Sequence, residues 1–207
     1  MRKVKSVIHV HSTQQEERSI RTMPLQQKAA CTVWIVGDSY VQRGFKHARE
    51  TLGTNLGLSA RIQWIGRGGM CWDGMLPIFR QFLRGREAPD VLVIHCGGND
   101  LGCVKSVLLL KAMKRDLDEL HRQFPQMNIM LSSINQRLHW RHSSAVKIEK
   151  VRRFVNRAMA SYVRTISHPH IVYNKPELYL LDNVHLSSKG SDIFWNAIAQ
   201  ALKDLLL

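Results

Sequence analysis

Acidic residues are scarce in this chain of 207 residues, which has 16 Asp and Glu against 30 Lys and Arg and a formal net charge of +14. Glu149 is the sole acidic residue between Asn128 and Lys175. A charge this positive is unusual for a small metabolic enzyme and favours contact with polyanions such as nucleic acid or an anionic membrane surface. Net charge carries no information about the fold.

Cysteines and long apolar runs are also few. The four cysteines (Cys31, Cys71, Cys96 and Cys103) lack the paired spacing of a zinc site, and a domain of this size does not need disulfides, so we expect free thiols in a reducing compartment. No stretch approaches the ~20 apolar residues of a membrane span, and no apolar segment follows the basic start. We therefore expect an intracellular protein, cytoplasmic or nuclear, without a signal peptide, metal or cofactor.

The length allows one well-buried domain. We assign it to residues 31–207, and we expect residues 1–30 to form a basic, mobile extension because they contain few large apolar side chains. A nucleotide-binding function is disfavoured: Gly66-Arg67-Gly68-Gly69 lacks the dinucleotide-binding spacing, and there is no Gly-Lys-Ser/Thr phosphate loop.

Short apolar runs alternate with segments of helical period along the domain. Strands are predicted at 33–36, 61–65, 91–94, 128–134 and 171–173, and helices over 39–56, 72–83, 105–124, 146–166 and 193–205. Strands that alternate with helices form βαβ units. The sequence therefore predicts an α/β protein with a five-stranded parallel sheet covered on both faces.

Ser39 follows the first of these strands, in Gly37-Asp38-Ser39, and opens the first helix. A hydroxyl at that place lies at the carboxyl end of a strand and the positive end of a helix, where α/β sheets bind ligands and a developing anion is stabilised. An alternative interpretation is that Asp38 or Ser39 only caps the helix, since both residue types are favoured caps.

Asp182 and His185 lie in the loop before the last helix. A carboxylate three residues before a histidine can accept a hydrogen bond from one ring nitrogen and leave the other to take a proton from a hydroxyl. A plain turn with a surface histidine is the alternative. Two other strand ends carry candidate donors to a negative oxygen, the backbone N–H of Gly69 and the side chain of Asn99.

Taken together, Gly37-Asp38-Ser39, Gly69, Gly97-Gly98-Asn99-Asp100 and Asp182-Asn183-Val184-His185 resemble the four blocks of the SGNH (GDSL-like) hydrolases. The resemblance covers about residues 31 to 206. It implies a flavodoxin-like three-layer α/β/α sandwich with Ser39 as nucleophile, His185 as general base and Asp182 as the residue that orients it. It also implies an oxyanion hole formed by the backbone N–H groups of Ser39 and Gly69 and the side chain of Asn99.

The sequence departs from the family pattern around the expected acyl pocket. Tyr40 stands where leucine usually follows the serine, and Met70 and Trp72 follow Gly69 where small or acidic residues are common, so we expect these three bulky side chains to line or narrow the pocket. In layout, the chain also resembles the esterase domain in the first open-reading-frame protein of some vertebrate non-LTR retrotransposons. That closer resemblance implies nucleic-acid binding.

Two functional hypotheses follow. The first is a serine esterase that hydrolyses a short-acyl, acetyl-like carboxyl ester of a lipid or a small molecule. The second is a nucleic-acid-binding protein, for RNA or single-stranded DNA, that uses the hydrolase fold as a scaffold; an anionic membrane is a further candidate partner. The candidate basic residues for this second function are Arg137, Arg141, Lys147, Lys150, Arg152, Arg153 and Arg157. A solvated helix face is the alternative for that basic stretch.

Overall fold

A parallel five-stranded sheet forms the centre of the molecule. The computed structural model describes residues 30–140, 144–171 and 175–206. Its strands are β1 (Cys31–Gly37), β2 (Ala60–Gly66), β3 (Val91–His95), β4 (Asn128–Ser132) and β5 (Thr165–Ile166). Its α-helices are α1 (Ser39–Glu50), α2 (Met75–Leu83), α3 (Ser106–Gln123), α4 (Ala145–Ala160) and α5 (Ser188–Leu206). Short 3-10 helices cover Trp72–Gly74 and Pro176–Leu178.

The strands lie in the order β2-β1-β3-β4-β5, and every pair is parallel. This is the flavodoxin-like order, in which the chain reverses its direction of travel across the sheet between β1 and β3. Ligands of such sheets bind at the carboxyl ends of the strands beside that reversal. The predicted fold class is therefore confirmed.

Two apolar cores hold the helices against the two faces of the sheet. Val33 and Ile35 of β1 belong to the core that includes buried residues of α1 and α5. Trp34 and Val36 point to the other face, where α2, α3 and α4 supply the core. Alternate residues of a strand face opposite sides, so β1 contributes to both cores and is buried throughout its centre. The result is a three-layer α/β/α sandwich.

The fifth strand is not where the sequence indicated. The predicted helix over 146–166 ends at Ala160, and its last predicted residues form β5 instead. Tyr162 and Val163 continue the apolar period of α4, and a strand of two residues shows no alternation of its own. The sequence pattern therefore does not reveal where α4 ends and β5 begins. Of the strand predicted at 171–173, Ile171 is buried outside any strand, and the other two positions lie outside the described residues.

Close approach of the chain at the end of β1 fixes the geometry where the site lies. A Cβ atom on Gly37 would come within 2.3 Å of the carbonyl oxygen of His95, so only glycine allows β1 and β3 to end side by side.

Among residues 30–140, 144–171 and 175–206, no helix combines the length and apolar character needed to cross a membrane. The predicted extension falls almost wholly within residues 1–29, which are outside the described part of the chain.

Candidate active site

Ser39 is the first residue of α1 and lies directly after the end of β1. Asp38 is the N-cap: its Oδ1 atom accepts a hydrogen bond from the backbone N–H of Tyr40 at 2.9 Å. The capping role that the sequence left open between Asp38 and Ser39 thus belongs to Asp38. The Ser39 hydroxyl is free of that role and lies at the positive end of the helix.

His185 and Asp182 meet Ser39 from the loop that precedes α5. His185 Nε2 lies 2.9 Å from Ser39 Oγ, and His185 Nδ1 lies 2.6 Å from Asp182 Oδ2. Asp182 Oδ1 also accepts hydrogen bonds from the backbone N–H groups of Val184 and His185, both at 2.9 Å. Burial raises the pKa of Asp182, but the hydrogen bonds from His185 and from these backbone groups outweigh it and hold the pKa at about 2.

Tyr40 contacts the loop that carries Asp182 and His185. Its hydroxyl donates a hydrogen bond to the carbonyl oxygen of Val184 at 2.5 Å, and its ring packs against the ring of His185 with centroids 6.1 Å apart. The side chain is buried. Tyr40 therefore positions the loop that carries His185, and it is not among the residues that line the cleft.

Met70 and Trp72 are also absent from the cleft lining within the described residues. Both are buried in the core on the α2 and α3 side of the sheet. The indole N–H of Trp72 donates to Asp116, and its backbone N–H donates to Asp100, each at 2.9 Å. Their bulk fills the core beneath the site, and a part for these side chains in shaping the pocket stays a prediction.

Gly69 and Asn99, the two predicted donors, share one cleft with Ser39 and His185. Gly69 has a φ of 70°, a left-handed conformation that favours glycine. Asn99 Nδ2 donates to the carbonyl oxygen of Met70 at 3.0 Å and lies 3.4 Å from Asp38 Oδ2. The carboxyl ends of β1, β2 and β3 thus bring together the serine and both donors.

Arg137 is a member of the site that the sequence placed elsewhere. Its guanidinium donates to Asn99 Oδ1 at 3.3 Å and lies 3.7 Å from Asp38 Oδ2, while the rings of Tyr40 and Trp140 pack near it at 5.6 and 5.0 Å. The residue is 8% exposed. Arg137 orients the Asn99 amide and offsets the charge of a buried carboxylate. The only sequence signal for it was its place just after the fourth predicted strand.

The Asp38 carboxyl group has an unusually high pKa for a helix cap. Burial raises its pKa to about 6, although Arg137 and the N–H of Tyr40 lower it. Asp38 is 1% exposed, so water contributes little to stabilising the ionised form. The carboxyl group therefore titrates near pH 6 in the folded protein.

Asp38→Asn is expected to gain stability relative to the wild type as the pH rises from 4 to 7. Because the folded pKa is about 6 against an ordinary 3.8, the folded state binds more protons than the unfolded state in this interval, and the wild type loses stability as the pH rises. Asparagine does not titrate. The free energy of unfolding of Asp38→Asn minus that of the wild type, measured by urea denaturation, should rise by up to about 3 kcal/mol between pH 4 and pH 7.

Asp90→Asn serves as the control for this titration. Hydrogen bonds from the backbone and side chain of Thr32 lower the pKa of Asp90, so the difference for this variant should change in the opposite direction. The change should be small because Asp90 is exposed. A difference for Asp38→Asn that stays constant between pH 4 and pH 7 would contradict the assigned titration.

A second serine–histidine contact lies deeper in the fold. Ser132 Oγ is 2.8 Å from His95 Nδ1 and 2.7 Å from His168 Nε2, and all three residues are buried. Burial lowers the pKa of His168 to about 3 and that of His95 well below its usual value, so both rings are neutral. A hydroxyl enclosed in this way cannot meet an ester, so Ser132 is a structural residue.

The predicted basic face is divided by the fold. Lys147, Lys150 and Arg157 are exposed on α4. Glu149 accepts hydrogen bonds from Arg152 and Arg153. Burial raises the pKa of Glu149, but these hydrogen bonds have the larger combined effect and lower it to about 2. Arg137 lies in the cleft, and Arg141 is outside the described residues. Nucleic-acid and membrane binding by the remaining cations stay predictions.

Comparison with known proteins agrees with the fold. No family model matches the chain, and no curated protein sequence matches it. A GDSL-like lipase from Bacteroides thetaiotaomicron superposes with a TM-score of 0.64 at 17% identity, over 84% of this chain and 88% of the other. A member of the lipolytic protein G-D-S-L family from Veillonella parvula gives 0.66 at 14% identity, over 84% and 99%.

A third solved structure, an alpha/beta hydrolase enzyme from the metagenome of Lake Arreo, Spain, gives a TM-score of 0.58 at 16% identity, over 83% of this chain and 95% of that one. The chain is thus similar in fold to GDSL-like hydrolases along most of the length of each. The resemblance to a retrotransposon esterase domain stays a prediction.

Proposed function

We propose that the protein is a serine esterase that hydrolyses carboxyl esters with a short acyl group, such as acetyl. The observation that carries the proposal is the continuous contact from Asp182 through His185 to the Ser39 hydroxyl, at 2.6 and 2.9 Å. This arrangement is that of a nucleophile, its base and the residue that orients the base. The similarity in fold to GDSL-like lipases supports the same chemistry.

In the proposed reaction, Ser39 Oγ attacks the ester carbonyl carbon while its proton passes to His185 Nε2. Asp182 accepts a hydrogen bond from the Nδ1–H group, remains ionised and stabilises the imidazolium that forms. The bond from the acyl carbon to the alcohol oxygen then breaks, and His185 returns the proton to the leaving alcohol. A water molecule activated by the same nitrogen releases the acid and restores Ser39.

The developing oxyanion needs hydrogen-bond donors. The backbone N–H of Ser39 is one of the first of α1, and such groups have no acceptor within their helix. Gly69 offers a second N–H, and Asn99 can exchange its longer 3.4 Å contact with Asp38 for the oxyanion. Arg137 holds the other end of the Asn99 amide, so the donor is already oriented before the reaction.

The size of the cleft supports a small substrate. Its volume is about 420 Å³, and its apolar wall consists of Leu101, Trp140 and Val184. Ligand pockets range over about 300–1,000 Å³, so this one is near the lower limit. An acetyl or similarly short acyl group fits such a space better than a long lipid chain does.

A fluorophosphonate probe tests the proposal. The probe should modify Ser39 and abolish hydrolysis of an aryl acetate, since it reacts with a serine that is activated by a neighbouring base. Ser39 and Ser132 fall in different tryptic peptides, 29–43 and 123–137, so mass spectrometry can separate them. Ser132→Ala should be labelled like the wild type. Labelling confined to another residue, or no hydrolysis by unlabelled protein, would refute the proposed function.

A further inference from the structure

Charge in the cleft is of one sign. The basic side chains that line it are Arg43, Arg137, His139 and His185, and within the described residues no Asp or Glu side chain lines it. Two carboxylates beside the cleft are already bound: Asp38 is buried beside Arg137, and Asp182 accepts hydrogen bonds from His185 and Val184. A substrate entering the cleft therefore meets basic side chains, and among the described residues no carboxylate forms part of the cleft wall.

Arg43 is the cation in this lining that is available to a ligand. Arg137 is 8% exposed and occupied by Asp38 and Asn99, whereas Arg43 is exposed. Among the described residues, no carboxylate forms an ion pair with Arg43. Other cations near α1 differ: His47, for example, contacts Asp192 at 2.7 Å.

The helix places Arg43 close to the nucleophile. Ser39 and Arg43 are four residues apart on α1, so their side chains lie on the same face, with Cβ atoms about 5–6 Å apart. Both line the cleft. A guanidinium one turn from the attacked carbonyl can bind a carboxylate or phosphate through paired, charge-assisted hydrogen bonds.

We propose that the cleft selects esters that carry an anionic group, a carboxylate or a phosphate, which Arg43 binds while Ser39 attacks the carbonyl. This inference rests on the proposed esterase function and adds its substrate class. The anionic group can belong to the alcohol or to the acyl part of the ester. The experiment uses one probe for each case.

For the alcohol side, the probes are 4-acetoxy-3-nitrobenzoate and its neutral carboxamide. For the acyl side, they are the mono-4-nitrophenyl ester of succinic acid and its neutral succinamide analogue. In at least one pair, the wild type should prefer the anionic ester in kcat/KM by about five- to tenfold, after correction for hydrolysis in buffer. The preference should shrink when the salt concentration rises from about 0.05 to 0.5 M.

Arg43→Gln should remove that preference, because loss of the charged contact lowers kcat/KM for the anionic ester far more than for the neutral one. Arg49→Gln is the matched control: it removes the same charge from an exposed position of α1 outside the cleft lining. It should retain the preference. An Arg43→Gln variant with an unchanged preference, or a wild type with no preference in either pair, would overturn the inference.

Failure of the esterase proposal would look different. In that case the wild type and Ser39→Ala would hydrolyse all four esters equally slowly. The binding of the hydrolysis products then tests the inference. By calorimetry, the wild type should bind 4-hydroxy-3-nitrobenzoate or succinate more tightly than it binds the corresponding carboxamide. Arg43→Gln should lose this difference in affinity. Equal binding of both anions and their carboxamides would overturn the anionic site.

Discussion

Ser39→Ala is expected to lower kcat for aryl acetate hydrolysis by about 10⁵- to 10⁶-fold, the largest effect of any single change in this protein. Without Oγ there is no atom to attack the carbonyl, and the donors of Gly69 and Asn99 can only assist a slow attack by water. KM should change little, since the hydroxyl contributes little to binding the ground state. Steady-state kinetics with 4-nitrophenyl acetate measure both quantities.

Stability should not account for this loss. Ser39 is only partly buried, and the helix cap is Asp38, so removal of the hydroxyl leaves the fold and the first turn of α1 intact. Ser132→Ala, which removes a hydroxyl placed between two buried histidines, is the matched comparison. It should keep kcat near that of the wild type even where it loses stability. A Ser39→Ala variant with activity within tenfold of the wild type would rule out the nucleophile.

Local sequence signals accounted for much of the site. Ser39 was found because an apolar strand ends abruptly before it, and Asp182 and His185 because three residues of loop suffice to bring a carboxylate to an imidazole. Parallel strands share one carboxyl edge, so the meeting of Ser39 and Asn99 followed once the strands were recognised. These candidates need only near neighbours in sequence and the general rules of α/β sheets, whereas their assignment to one catalytic site came from the resemblance of the four blocks to the SGNH hydrolases.

Features that depend on distant contacts were missed. Arg137 lies in a basic stretch, and charge patterning alone assigned it to a surface; its burial follows from Asp38, 99 residues earlier, which needs a cation nearby. The role of Tyr40 depends on a carbonyl 144 residues later in the chain. β5 was missed for another reason: two residues cannot show a period of two. For Arg137 and Tyr40, the deciding partner is far away in the sequence and does not show in a local pattern.

Asp182→Asn is expected to lower kcat near pH 7 by about 10⁴-fold with little change in geometry. The asparagine carbonyl can still accept the backbone N–H groups of Val184 and His185, so the loop should keep its shape. Its amide N–H, however, would face His185 Nδ1 and favour the tautomer that carries the proton on Nε2. That nitrogen could then no longer accept the proton of Ser39.

Asp192→Asn is the matched control for this change. Asp192 also contacts a histidine, His47 at 2.7 Å, and is 45% exposed at its side chain against 43% for Asp182. It lies on α5, outside the cleft lining, so its variant should retain the activity of the wild type. Equal losses in Asp182→Asn and Asp192→Asn would mean that the effect is structural and that Asp182 does not orient the base.

The double variant Ser39→Ala/Asp182→Asn tests whether the two residues act in one unit. If Asp182 serves only to prepare His185 for the proton of Ser39, it has nothing left to do once the hydroxyl is gone. The double variant should therefore be no slower than Ser39→Ala alone, a strongly non-additive result. Additive losses would assign Asp182 a role in catalysis that is independent of Ser39.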